Sequence, residues 1–261
     1  MANELNFESL LSQLEQNSRS IEKGKYKFTE LTMNDQRKIL NIGFNPIEIP
    51  VRISNIFNEF IRTSVEDVND ITDVMHNITI DVKPFLIVQL RNLTLGDKYV
   101  DSNSNTTYTL YDVKEEDLES SIEPAVIQFN NFILRLAVPS LAKDQNINGQ
   151  LLLELGNFKK KLSDEDYGKV ADLYQIYELM KFITEIELDG NVFDFEKSPV
   201  NKKMKIINSL PQRVISEITD YVESVKALEQ KALTAVDELT NETIEVEMST
   251  LFFAKNAREK K

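Results

Sequence analysis

The sequence predicts an α+β fold that is predominantly helical, with a small antiparallel sheet built from hairpins. Several segments repeat apolar residues at steps of three and four, which is typical of amphipathic helices. Shorter segments flank turn dipeptides, as hairpin strands do. Only 7 Gly and 7 Pro occur among 261 residues, which favours long regular elements over a loop-rich sandwich.

The N-terminal segment is predicted to contain two helices. The first covers residues 5–23, where leucines recur on one face, and it ends at Gly24. The spacing of Thr32 and Asp35 is that of a capping box with Asp in place of Glu or Gln. It predicts a short helix that ends at Gly43.

Two further helices are predicted before residue 96. One begins at Pro50, and its apolar residues fall on one helical face, namely Ile53, Ile56, Phe57, Phe60 and Ile61. Residues 81–93 would place apolar side chains on nearly every face of a helix. This predicts a buried helix there, with a strand as the alternative.

Three hairpins are expected in the middle of the chain. The last has the strongest signal, because the turn dipeptide Asp189 and Gly190 separates two short strands. The predicted strand pairs are residues 98–100 with 107–113, 125–129 with 132–138, and 185–188 with 191–195.

A long amphipathic helix dominates the C-terminal region, and a helix capped by Ser163 precedes it. We expect the long helix to begin at Pro211, with Ser209 or Asn208 as its cap. Its apolar stripe contains Leu210, Val214, Ile218, Val222, Val225 and Leu228. A β-like segment at residues 243–253 follows it.

The expected domain organisation has two parts and a tail. Residues 1–143 carry N-terminal helices plus hairpins, and residues 144–255 form a C-terminal helical region with a hairpin and a terminal strand. Residues 256–261 are a charged tail. The boundary is placed within residues 143–150, where Asp, Asn and Gly cluster after Pro139.

Composition argues against several classes of function. The net charge of −13 repels phosphate backbones and anionic lipid surfaces, so neither nucleic acid nor a membrane is expected as a partner. The chain contains no cysteine, and its start lacks the pattern of a signal peptide. These features predict a cytosolic protein.

Little in the sequence is equipped for chemistry. His76 is the sole histidine, so no triad or transition-metal site is expected. Asp101, Asn103, Asn105 and Asp112 have the spacing of a calcium loop, but position six is Thr106 rather than Gly. A polar hairpin tip is the favoured interpretation. We therefore predict a non-enzymatic protein with no metal and no cofactor, and the alternative is a carboxylate-dependent, metal-dependent hydrolase.

The order of these segments resembles the T-even-like bacteriophage baseplate-hub assembly proteins. That family is described as hub subunits, assembly catalysts and chaperones for the tape-measure protein. The resemblance rests on short motifs within residues 31–33, 90–96, 134–139, 186–190, 207–211 and 251–253.

The resemblance implies a tail-assembly protein of the host cytoplasm that binds tape-measure or hub subunits. The alternatives are a structural component retained in the virion baseplate and a regulatory adaptor. We expect the partner to bind an apolar groove rimmed by Glu223, Glu245 and Glu247. The predicted partner-binding residues are Leu251, Phe252, Phe253, Val225 and Leu228. The oligomeric state is left open.

Overall fold

The structure is a computed structural model that describes residues 18–32, 34, 37, 45–101, 104, 106–158 and 162–247. Within these ranges the chain is a mixture of helices and small antiparallel sheets, so the predicted α+β class is confirmed. The described α-helices are α1 (Ile49–Ser64), α2 (Ile71–Asn77), α3 (Lys83–Leu95), α4 (Leu141–Leu155), α5 (Asp164–Phe182), α6 (Val200–Ser209) and α7 (Gln212–Ala232). Short 3-10 helices cover Val68–Asp70 and Glu115–Leu118.

The strands form three antiparallel groups in the described part of the chain. β1 and β2 make a separate hairpin, and the two larger sheets have the orders β10-β9-β4-β3 and β5-β6-β7-β8. The strand bounds are β1 (Ser20–Lys23), β2 (Tyr26–Thr29), β3 (Lys98–Val100), β4 (Thr107–Leu110), β5 (Ala125–Phe129), β6 (Phe132–Leu136), β7 (Ile183–Leu188), β8 (Asn191–Asp194), β9 (Thr234–Asp237) and β10 (Thr243–Glu245).

A first hydrophobic core is built mainly from the N-terminal elements. Phe57, Phe60 and Ile61 of α1 pack there with the buried residues of α3. Arg91 is fully buried in α3 and donates hydrogen bonds to the carbonyl oxygens of Gly96 and, at 2.8 Å, Lys98. Burial lowers the pKa of Arg91 to about 10. These bonds join the end of α3 to β3.

A second hydrophobic core lies between the sheet β5–β8 and the helices that pack on it. Leu134 and Ile186 lie on the inner face of the sheet, opposite one another in the β6–β7 register. Leu151 of α4 and Met180 of α5 belong to the same core.

Helix α7 contributes to both cores. Val214, Ile218, Val222 and Val225 are buried in the second core, as their spacing predicted. Further along the helix, Ala232 is buried in the first core. One continuous apolar stripe therefore packs on two cores in turn.

Local sequence signals account for several elements. Ser163 and Asp166 form the capping box at the start of α5, which confirms the predicted cap. Asp189 (φ 51°) and Gly190 (φ 76°) both have positive φ, as a type I′ turn requires. The three predicted hairpins are present as β3–β4, β5–β6 and β7–β8, and residues 81–93 fall mainly in helix α3 rather than in a strand.

Two local predictions are wrong, and the predicted domain boundary coincides with a helix. Residues 20–23 form β1 instead of the end of a helix, because Gly24 (φ 55°) closes a two-residue turn onto β2. Pro211 is the N-cap of α7 and no side chain caps that helix, while the Ser209 hydroxyl donates instead to the Lys205 carbonyl oxygen. Residues 143–150 lie inside helix α4, which Ser140 caps.

The predicted helix over residues 5–17, most of the predicted helix ending at Gly43 and the strand beyond residue 247 lie outside the described residues. The division into residues 1–143, 144–255 and 256–261 stays a prediction. No described helix has both the length and the apolar character needed to cross a membrane.

Candidate functional site

The candidate site is a cavity of about 560 Å³ where the two hydrophobic cores meet. Five helices line it, namely α1, α3, α4, α5 and α7. Most of its wall is apolar, and the wall includes Val51, Phe57, Leu151, Val222 and Val225. Its volume lies in the range of roughly 300–1,000 Å³ that is usual for small-molecule sites.

A buried ionic cluster forms one side of this cavity. Asp144 of α4 is 2% exposed and pairs with two lysines from other helices. Its carboxylate oxygens lie 3.3 Å from the Lys83 Nζ and 2.9 Å from the Lys181 Nζ. Lys181 also pairs with Glu178 at 2.9 Å. The two ammonium groups and two carboxylates are therefore balanced in charge.

Polar side chains of α1 hold this cluster in place. Asn58 Nδ2 donates to Asp144 Oδ2 at 2.8 Å, and the Ser54 hydroxyl accepts from Lys83 Nζ at 2.8 Å. Asn148 Nδ2 also donates to the Ser54 hydroxyl, at 3.3 Å. Since a buried charge is tolerated only when it is paired and hydrogen-bonded, these bonds explain how the three buried charges of Lys83, Asp144 and Lys181 persist between two cores.

The surroundings fix the ionisation of the central pair. Burial would raise the pKa of Asp144, but Lys83, Lys181 and the bond from Asn58 outweigh it and hold that pKa well below its usual value. Burial would likewise lower the pKa of Lys181, but Asp144 and Glu178 outweigh it and raise that pKa. Asp144 is thus a carboxylate, and Lys181 an ammonium group, at neutral pH.

Glu229 of α7 also lines the cavity. The pKa of Glu229 is raised, and burial is the largest cause. The negative charges of Glu178 and Asp144 raise this pKa further, while the positive charges of Lys83 and Lys226 lower it. Glu229 is nevertheless an exposed residue. It therefore combines solvent exposure with neighbours that disfavour its charged form.

Tyr174 lies on the α5 side of the same cavity. Its hydroxyl donates to the Ile47 carbonyl oxygen at 2.6 Å. Burial, together with the negative charge of Glu48, raises the pKa of Tyr174 to about 12. The phenol is therefore a neutral hydrogen-bond donor that ties α5 to the chain before α1.

The structure brings only part of the predicted partner-binding set to this site. Val225 is buried and lines the cavity with Glu223, whereas Leu228 packs against the first core. Leu251, Phe252 and Phe253 lie outside the described residues. The partner-binding role of these five residues stays a prediction, and Glu245 and Glu247 are absent from the cavity wall.

The other candidate sites are unremarkable in the described residues. His76 is exposed in the last turn of α2. Asp101 accepts hydrogen bonds from Ser104 after β3, and Asp112 pairs with Lys114 beyond the end of β4. Asn103 and Asn105 lie outside the described residues. No group of three or more His, Asp or Glu side chains in the described ranges is arranged to hold a metal ion. The absence of a metal and of a cofactor stays a prediction.

Sequence reasoning missed Lys83, Asp144 and Lys181. One signal was available, because Lys83 stands at the start of an otherwise apolar helix and a buried lysine needs a partner. Nothing local pointed to Asp144, which lay in a segment interpreted as a domain boundary. The separation of 61 positions between Lys83 and Asp144 explains why spacing alone could not pair them.

Comparison with known proteins gives one match. Residues 2–129, just under half of the chain, match the model of a family described as Spore germination protein GerPC. The matched part ends at the last residue of β5, so it includes α1 and α3 of the cavity wall but none of α4, α5 or α7. No curated protein matches the chain, and no solved structure does.

This match corrects the resemblance drawn from the sequence. The assignment to the baseplate-hub assembly family is wrong, and so are the tail-protein partners and the location in the host cytoplasm or virion baseplate that it implied. The reason lies in the motifs used, each of which was short and degenerate. An α+β chain produces such an order from local turn and cap chemistry alone.

Proposed function

We propose that this protein takes part in spore germination, and that it acts by binding a small molecule rather than by catalysis. The match of residues 2–129 to the spore germination family carries the first part. The cavity between the two cores supports the second, since an apolar cavity with a few convergent polar groups is the usual form of a ligand site.

The chemistry of the cavity favours binding over catalysis. A general base works best with a pKa near the operating pH, whereas the pKa of Asp144 is held far below neutrality. The raised pKa of Lys181 keeps that amine protonated, so it is a poor nucleophile. The charged groups hold one another in place on one side of the cavity.

The test of the germination role is deletion of the gene in its native host. Germination is followed as the fall in optical density of a purified spore suspension after a germinant is added. We expect the deletion spores to germinate more slowly or less completely, with recovery on complementation. Deletion spores that germinate at the parental rate and to the parental extent contradict the role.

The role of the cavity is tested by complementation with a matched pair of variants. Val225→Phe adds bulk at the cavity wall, while Val236→Phe makes the same change at a partly exposed position in β9. We expect Val236→Phe to restore germination and Val225→Phe to fail. Thermal unfolding of purified Val225→Phe shows whether it is folded, and a folded variant that restores germination fully contradicts ligand binding in this cavity.

A further inference from the structure

The charges that line the central cavity do not cancel. Among the described residues of its wall, Lys83, Lys181 and Lys226 are positive, and Asp144, Glu178, Glu223 and Glu229 are negative. Within the described part of the chain, Asp144 and Glu178 pair with the two buried lysines, and Glu223 pairs with Lys226 at 2.8 Å. No described lysine or arginine forms an ion pair with Glu229.

The surroundings of Glu229 disfavour its ionised form. Burial raises its pKa, and of the charged groups that face it, Glu178 and Asp144 raise the pKa while Lys83 and Lys226 lower it. A cation placed beside this carboxylate would stabilise its ionised form and offset the repulsion from Glu178. An anion would add a further negative charge to a wall that already has one in excess.

The rest of the wall determines the shape of a complementary molecule. Val51 and Leu151 face the same cavity as Val222 and Val225 of α7, so the space is bounded by hydrocarbon on several sides. Apolar surface transferred there from water contributes about 25 cal/mol per Å². A molecule that fits therefore has an apolar body and a single positive end.

We propose that the central cavity binds a small organic amine, with its ammonium group against Glu229 and Glu178 and its apolar body against Val51, Leu151 and Val222. This inference rests on the proposed ligand-binding function and adds the chemical class of the ligand. The amine makes a charge-assisted hydrogen bond to a carboxylate that has no ion-pair partner among the described residues. Its body displaces water from the apolar wall.

The test compares three probes of similar size that differ in charge. These are 2-phenylethylamine, 2-phenylethanol and phenylacetate, and each is titrated calorimetrically into the full chain at pH 7. We expect the amine to bind most tightly and phenylacetate least tightly. Glu229→Gln should weaken amine binding by about tenfold or more, since a charge-assisted hydrogen bond is lost, and should leave 2-phenylethanol binding unchanged.

A matched control on the same helix is Glu217→Gln. Glu217 pairs with Arg213 at 3.1 Å and does not line the cavity, so this change should leave amine binding as in the parent protein. If Glu229→Gln and Glu217→Gln weaken amine binding equally, the proposal is overturned. The amine would then respond to the overall charge of the protein and not to a carboxylate in the cavity. Val225→Phe should abolish binding of the amine.

The outcomes separate this inference from the proposed function. If 2-phenylethanol or phenylacetate binds more tightly than the amine and Val225→Phe abolishes that binding, the cavity is a ligand site and the assignment to amines is wrong. If none of the three probes binds the parent protein, both the amine assignment and the ligand-binding function are contradicted.

Discussion

Removing the charge of Asp144 should be among the most destabilising isosteric changes in this chain. Asp144→Asn keeps the shape of the side chain but leaves Lys83 and Lys181 without their shared carboxylate between the two cores. Breaking a buried ion pair in this way costs about 3–5 kcal/mol in free energy of unfolding. Since 1 kcal/mol shifts the Tm of a chain of this size by about 2–4 °C, the expected fall is roughly 6–20 °C.

The assay is urea and thermal unfolding at neutral pH, with Asp112→Asn as the control. Asp112 pairs with Lys114 on the surface, where its side chain is 83% exposed. The control should therefore change stability by no more than about 0.5 kcal/mol. If Asp144→Asn lowers the free energy of unfolding by as little as the control does, the argument that the cluster is buried and coupled is refuted.

The coupling can be measured directly with a second substitution. The double variant Lys83→Met and Asp144→Asn removes one charge of each sign and leaves Lys181 paired with Glu178. It should be more stable than the sum of the single changes predicts, by about 0.5–3 kcal/mol. Additive single effects would show that Lys83 and Asp144 do not interact.

The pH dependence follows from the lowered pKa of Asp144. A carboxyl group with a depressed pKa in the folded state contributes stability above its unfolded pKa, which is about 3.9 for Asp. That contribution is lost as pH falls further, toward the folded-state pKa. The stability difference between the parent protein and Asp144→Asn should therefore be constant near neutrality and narrow below about pH 4.

Three further predictions concern Phe57 in the first core, two glycines and Tyr174. Phe57→Ala should cost about 3–5 kcal/mol in urea unfolding, because Phe57 is buried and packs edge-to-face on Phe60 at 5.8 Å. Phe193→Ala, at a position 38% exposed, should cost much less, and equal costs would contradict the assigned core. Gly190→Ala should destabilise by roughly 1 kcal/mol because φ is +76°, whereas Gly168→Ala inside α5 has open space and should stabilise by about 0.4–1 kcal/mol. If Gly190→Ala and Gly168→Ala change the free energy of unfolding in the same direction, the turn geometry at Gly190 is contradicted. Tyr174 should ionise near pH 12, so its contribution to stability is complete below about pH 10 and is lost as pH rises through about 12. The ionisation is measured as the tyrosinate absorbance of the parent protein minus that of Tyr174→Phe. Ionisation of Tyr174 near pH 10 would contradict its burial.

Elements whose cause is local could be predicted from the sequence. The type I′ turn at Asp189 and Gly190, the capping box at Ser163 and the stripe of α7 each depend on residues within a few positions of one another. The failures have a different origin. Residues 20–23 are a strand because β2 pairs with them, and a helical spacing of apolar residues does not reveal such a partner.

The candidate site could not be predicted, because it depends on distant pairings. Asp144 meets Lys83 and Lys181 only after α3, α4 and α5 have packed together. A single sequence contains no record of which charged residues meet in space. The polar residues around Asp144 were interpreted as a boundary for the same reason, although Ser140 caps a regular helix there.

The energetic cost of buried charge bears on why charged side chains line one side of the cavity. A buried ion cluster is weak evidence for stability, since apolar residues of similar volume often serve the fold as well or better. Pairing within the cluster formed by Lys83, Asp144, Lys181 and Glu178 balances its charges, so Glu229 is left as a wall carboxylate with no ion-pair partner among the described residues. Under the proposed amine binding, this carboxylate would let the cavity discriminate between ligands by charge, which an all-apolar cavity cannot do.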